Sequence, residues 1–244
     1  MVMNDRSYQL KQLTNFIWDD YNASLGATLG QFKSLDASVA EAMMVHYISS
    51  CYPFVYSFND FCRFINLQCE EGGDTNMHEE VLDHTRSDLE HYDLYKRDFL
   101  KHNGWRVKSN PAPFISLHNE LWHAFAQTPR IYYYHLLLIF EVMSTVWLGK
   151  WYDLSKHHSL DFAFLGREHF QDDDYKQHLI SHEQVLNETI PSHIYWVLRN
   201  AYDKIGSGFV TWFNDQLLEA TENPKSYIEE RTRKISIEKV VNSV

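Results

Sequence analysis

Apolar residues return along this chain at intervals of three and four rather than two, the spacing that turns one face of an α-helix toward a core. The pattern predicts a first helix from about Ser7 to Phe32, with Gly26 and Gly30 near its end. A second starts at Ser34 to Ala37 and continues through Tyr47, Tyr56 and Phe64 to Glu70. Pro53 inside it predicts a kink, because proline removes one backbone donor and its ring crowds the preceding turn. Gly72 and Gly73 interrupt the pattern, and a third helix follows to about His102, stopped by Asn103-Gly104. Asn110-Pro111-Ala112-Pro113 reads as an extended linker ahead of a short helix over about Phe114 to Ala126. Thr128-Pro129 reads as a helix start, Thr as N-cap and Pro at the first helical position, opening a long apolar helix to about Tyr152. A loop around Lys156 to Leu160, a helical region from about Asp161 to Glu188, and a last long helix from Pro191-Ser192 to near Glu222 complete the series. The expectation is an all-α fold, a single-domain bundle of about seven helices over residues 1–222, with the 223–244 tail unassigned.

Composition strengthens the helical reading. Glycine and proline number 9 and 6 in 244 residues, few turn-makers for a chain of this length. Lys and Arg number 22 against 33 Asp and Glu, a formal charge of −11, which argues against a nucleic-acid partner. Cys51, Cys62 and Cys69 form no CxxC pair, so neither a disulfide framework nor a zinc knuckle is indicated. Asp5, Arg6 and Lys11 precede any long apolar run, which leaves no secretory h-region and makes the cytoplasm the expected compartment. Ile131 to Leu148 is apolar enough to suggest a membrane span. It carries His135 and Glu141, and a carboxylate at bilayer depth is costly unless partnered, so it reads as a fully buried helix of a soluble bundle.

Chemistry is sought among carboxylates and histidines, of which the chain has 14 of the latter. Glu71 and His78 are seven apart, two turns on a continuous helix and so on one face, although Gly72 and Gly73 lie between them and a solvated acidic turn fits the same residues. Glu141 is the one acid in Leu136-Leu137-Leu138-Ile139-Phe140-Glu141-Val142-Met143, a stretch apolar on every side. A buried carboxylate must be protonated, hydrogen-bonded or paired. A bound metal ion is one such partner; a buried Arg, His or Tyr is another. Farther on, Asp174, His178 and His182 are spaced by four and share a helical face, as do His169 and Asp173. Imidazole with carboxylate suits ferrous iron, while an exposed acidic helix start with incidental histidines fits equally.

Other signatures are missing. There is no HExxH, no G-x-S-x-G, no phosphate-binding glycine loop and no dinucleotide fingerprint. Of the Glu-x-x-His motifs that ferritin-like centres need on two helices, only Glu120-Leu121-Trp122-His123 fits, with Asp88-Leu89-Glu90-His91 a poor second.

The order Glu71, six residues, His78, then Glu141 on a separate helix, then an Asp and His cluster on a third, resembles the haem-oxygenase-like di-iron oxidases and oxygenases. The flanks are similar too: Val45-His46-Tyr47 through Tyr52-Pro53-Phe54, then Asn66-Leu67-Gln68-Cys69-Glu70-Glu71-Gly72-Gly73, read like the family's second helix and its Glu-bearing end. The likeness spans about Glu41 to Phe213. It implies a haem-oxygenase-type bundle holding a pair of ferrous ions rather than haem. Glu71 and His78 would be ligands, Glu141 the bridging carboxylate, and Asp174, His178 and His182 would complete the set, with His169 in reserve. The family pattern is His-x-x-x-Asp-x-x-His; here His169 with Asp173 lacks a His at position 176, and His182 follows His178 where the pattern has Asp, a departure that bears on the second iron.

The resemblance implies dioxygen-dependent oxidation, hydroxylation or cleavage of a small amino-acid-like, amine or fatty-acid substrate, para-aminobenzoate-type synthesis included. The partners implied are that substrate and dioxygen, with no nucleic acid or membrane and with a homodimer left open. Phe54, Tyr56, Tyr134 and Phe140 would form an aromatic wall excluding water, or simply the core. The same fold also hosts metal-free enzymes acting on small heterocycles, and an acidic interaction protein is a further alternative. A haem oxygenase proper is disfavoured, since the nearest proximal-histidine candidate, His46, falls on the second helix.

Overall fold

The computed structural model describes residues 7–72, 93–102, 109–162 and 183–232. The chain enters the fold as a strand, not as the helix expected from Ser7. Strand β1 (Ser7–Gln9) pairs antiparallel with Thr189–Pro191, Tyr8 opposite Ile190, and the Tyr8 ring stacks on Tyr195 at 4.4 Å. Helix α1 (Leu10–Lys33) then runs through Gly26 and Gly30 without a break. Its last carbonyls are satisfied from outside: the Nε2 of His157 donates to the Lys33 oxygen at 3.1 Å and that of His158 to the Phe32 oxygen at 3.3 Å.

Helix α2 (Ala37–Gly72) continues for 36 residues with Pro53 inside it. A helix over 93–101, α3, follows; its Tyr95 hydroxyl donates to the Ile48 carbonyl of α2 at 3.2 Å. Helix α4 (Ala112–Gln127) begins inside the segment expected to be an extended linker. Pro113 is accommodated because first-turn N–H groups need no intrahelical partner. Thr128 does not cap the next helix. It closes α4, its N–H on the Phe125 oxygen at 3.1 Å and its Oγ1 on the Ala124 oxygen at 2.8 Å. Pro129 instead precedes a single 3₁₀ turn, Arg130–Tyr132, and α5 (Tyr133–His157) continues from there.

After 162 the described chain resumes at α6 (Glu183–Leu186), which is over before the expected end at Glu188, and passes through β2 (Thr189–Pro191) into α7 (Ser192–Glu222). The tail is helical at first: α8 (Pro224–Thr232) packs on α2 and α7. There Tyr227 is fully buried with its hydroxyl on Gln216 at 3.2 Å, and Arg231 places one guanidinium nitrogen 2.9 Å and 3.0 Å from the two Glu219 oxygens.

The architecture is an all-α bundle with a small two-stranded ribbon at one end. Helix α5 lies along α1 and against α7, while α4 fills the space between α2 and α7. Every residue from Tyr134 to Phe140 is buried, and each Leu or Ile removed from water there contributes about 1.5–3 kcal/mol. By length and composition the stretch Arg130–His157 could cross a membrane, yet its apolar part is mostly covered by other helices. Burial is less complete than expected: Ile131 is exposed, and Glu141, Ser144, Thr145 and Leu148, at helical spacing, form a half-covered stripe. Gly208 permits the close approach of α7 to α4, since a Cβ there would collide with a Leu117 methyl.

Candidate functional site

Glu141 sits mid-way along α5 between the buried Phe140 and Val142, itself half-buried rather than sealed in the core. Its backbone oxygen accepts from the hydroxyls of Ser144 and Thr145 at 3.0 Å and 2.8 Å, which ties a polar patch to the half-covered stripe. Glu71 ends α2, exposed, with its Oε2 accepting from Gln68 Nε2 at 3.3 Å. It and Glu70 lie in the last described turn of α2, which holds no basic residue.

His78, Asp174, His178 and His182, with His169 in reserve, lie outside the described residues. Among the described residues no three His, Cys, Asp or Glu side chains converge in a way that could hold a metal ion. Glu71 and Glu141 suit a metal centre chemically, being carboxylates of the kind ferrous iron accepts, the first exposed and the second half-buried.

The alternative motifs resolve differently. On α4, Glu120 is ion-paired with Lys204 at 2.8 Å and His123 is exposed with its Nε2 2.9 Å from the Gln127 amide, so the Glu-x-x-His of that helix is a surface feature. His46 is fully buried and stacked on Trp212 at 5.8 Å, deep in the core. Tyr134 and Phe140 are buried and Phe54 partly so, whereas Tyr56, at 56 % exposure, is no part of an interior wall.

Three groups escaped the sequence reading. Asp98 is the fully buried carboxylate among the described residues, although Lys96, Arg97 and Lys101 stand close to it along the chain. The signal was present: Tyr95, Asp98, Phe99 and His102 fall at the spacing of one inward helical face. Cys51 lies between Tyr47 and Tyr95, and burial pushes its thiol up to about 12, against the pull of hydrogen bonds from both tyrosines. It is protonated and a poor nucleophile at neutral pH.

The third group is His135, 2 % exposed at the start of α5, whose Nε2 lies 2.9 Å from Glu188 Oε2 in the turn before β2. Burial holds its pKa below the ordinary histidine value despite the opposing pull of Glu188, so the neutral ring donates Nε2–H to the carboxylate. Its Nδ1 is buried without a hydrogen-bond partner. The pair was invisible along the sequence because its members lie on distant segments.

No protein family, curated protein or solved structure matches this chain.

Proposed function

We propose that this chain is a non-haem di-iron, dioxygen-dependent oxidase or oxygenase acting on a small amino-acid-like, amine or fatty-acid substrate. The observation that carries the reading is Glu141: the one acid in the apolar heart of α5, flanked by buried residues and partly withdrawn from water. A carboxylate in that setting is stabilised by a cation, and the chain offers imidazoles and further carboxylates at ligand-like spacing in its other segments. The likeness of the Glu71, His78, Glu141 order to the haem-oxygenase-like di-iron enzymes supports the same assignment.

In this reading Glu71, His78, Glu141, Asp174, His178 and His182 would hold the metal ions. Ferrous iron held there would supply the reducing electrons for dioxygen activation. Phe140, Val142 and Met143, buried beside Glu141 along α5, limit the water that reaches it, and a charge interaction is stronger where water is scarcer. Ser144 and Thr145, bonded to the backbone one turn back, fix the local helix geometry below it.

The test is oxygen uptake. Protein loaded anaerobically with ferrous iron and then exposed to air should consume dioxygen with a transient visible absorption band, and Glu141→Ala should abolish both. Iron-loaded wild type that consumes no more dioxygen than free iron does would overturn the assignment.

A further inference from the structure

A file of oxidisable rings crosses the bundle. Tyr47 on α2 lies 6.4 Å from Tyr95 on α3 and 5.7 Å from Trp147 on α5, centroid to centroid. The Trp147 indole N–H donates to the Tyr47 hydroxyl at 2.9 Å. Next comes Tyr21 on α1, stacked 6.5 Å from Trp147, and then Tyr202 on α7, edge-on at 6.2 Å from Tyr21. All five side chains are at most 4 % exposed. The file ends at the surface, where the Tyr202 hydroxyl donates at 2.6 Å to the carboxylate of exposed Asp20.

Aromatic rings are ordinary core material, and a buried Tyr needs a hydrogen-bond partner of any kind. At Tyr202 that partner is a carboxyl group open to water, with an oxygen already accepting the phenol proton. This matters because a phenol that loses an electron becomes a strong acid, so tyrosine yields an electron at neutral pH only where its proton has somewhere to go. The adjacent tryptophan and tyrosine rings provide steps short enough for an electron to pass between them.

We propose that this file conducts one-electron oxidising equivalents between the core and the Asp20 edge, with Tyr202 as the terminal donor. The elementary step balances. An oxidised Trp147 radical cation takes one electron from Tyr202 by way of Tyr21; Tyr202 passes its hydroxyl proton to Asp20 Oδ2; the products are neutral Trp147, a neutral Tyr202 phenoxyl radical and a protonated Asp20. A small one-electron, one-proton donor in solvent, of the thiol or ascorbate class, then restores Tyr202. The oxidant is a high-potential one-electron acceptor of the metal-complex class; in the flash experiment light removes the indole electron and a cobalt(III) ammine takes it up, being reduced to cobalt(II). As the entry point for the reductant of the oxygenase the file rests on the reading above, whereas conduction itself does not.

The experiment therefore uses the full chain without metal. Tryptophan is photoionised by a flash in the presence of a cobalt(III) ammine as electron acceptor, and radicals are followed by transient absorption and by electron paramagnetic resonance of rapidly frozen samples. In wild type the tryptophanyl signal should decay into a tyrosyl signal. Tyr202→Phe and Asp20→Asn should each lower the tyrosyl yield several-fold and lengthen the tryptophanyl lifetime. Asp20 is exposed, so its substitution leaves the fold intact, which circular dichroism checks; Tyr8→Phe, outside the file, should behave as wild type. Unchanged tyrosyl yield and tryptophanyl lifetime in both variants would overturn the proposal. Conduction without iron uptake would leave it standing and remove the oxygenase.

Discussion

His135 illustrates how burial controls a titratable ring. Because its folded pKa lies below the unfolded value of about 6.5, the unfolded chain binds the extra proton first as pH falls, and this residue's contribution, complete above that value, is lost toward acid. The drop in urea midpoint between about pH 7.5 and about pH 5.5 should accordingly be smaller in His135→Gln than in wild type. Equal drops in the two proteins would contradict this. Glu188→Ala removes the acceptor of the buried Nε2–H and should cost about 1 kcal/mol, the Glu188 side chain being half exposed and water able to replace it in part. Residue-level chemistry was only partly legible in the sequence. Glu141 was singled out because its neighbours along the chain are apolar, but burial depends on which face of the helix is covered, and α5 leaves a stripe half open at that face. The reverse held for Asp98: its charged neighbours hid a position that three-and-four spacing turns inward.

At the scale of elements, periodicity located the helices well and their ends less well. The strong repeats of α1, α2, α5 and α7 are local, and each helix buries the face its sequence marks. Ends depend on groups elsewhere. The three residues of β1 carry no strand signal of their own and pair only because β2 lies beside them, and Thr128 closes α4 because its backbone turns extended there, with φ −93° and ψ 121°. Two glycines in helices should respond oppositely to alanine. Gly26→Ala in α1 adds a methyl into open space and should stabilise by about 1 kcal/mol through helix propensity. Gly208→Ala in α7 drives its methyl into Leu117 and should destabilise by about 1–2 kcal/mol, the overpacking outweighing the same gain. The loss should shrink in a Leu117→Ala background, as contact residues are not additive. Thermal melts that show both glycine variants more stable than wild type would contradict the close α4 to α7 approach.

On the scale of the whole molecule, the bundle continues past the expected domain end, because α8 seats Tyr227 between α2 and α7 and anchors Arg231 on Glu219. Tyr227→Ala should cost about 3 kcal/mol by denaturant unfolding, and a change within error would show α8 to be peripheral. The proposed activity makes a demand on the entire chain, since α2 and α5 would each provide one carboxylate and the remaining ligands would come from residues 73–92 and 163–182. Ferrous ion bound per chain, measured anaerobically, puts that demand to the test most directly. The account expects about two ions in wild type, with uptake lost in Glu141→Ala and His78→Ala at unchanged helical content. A wild-type protein that binds none contradicts it outright, and one ion bound equally by all three proteins contradicts the assignment of these ligands.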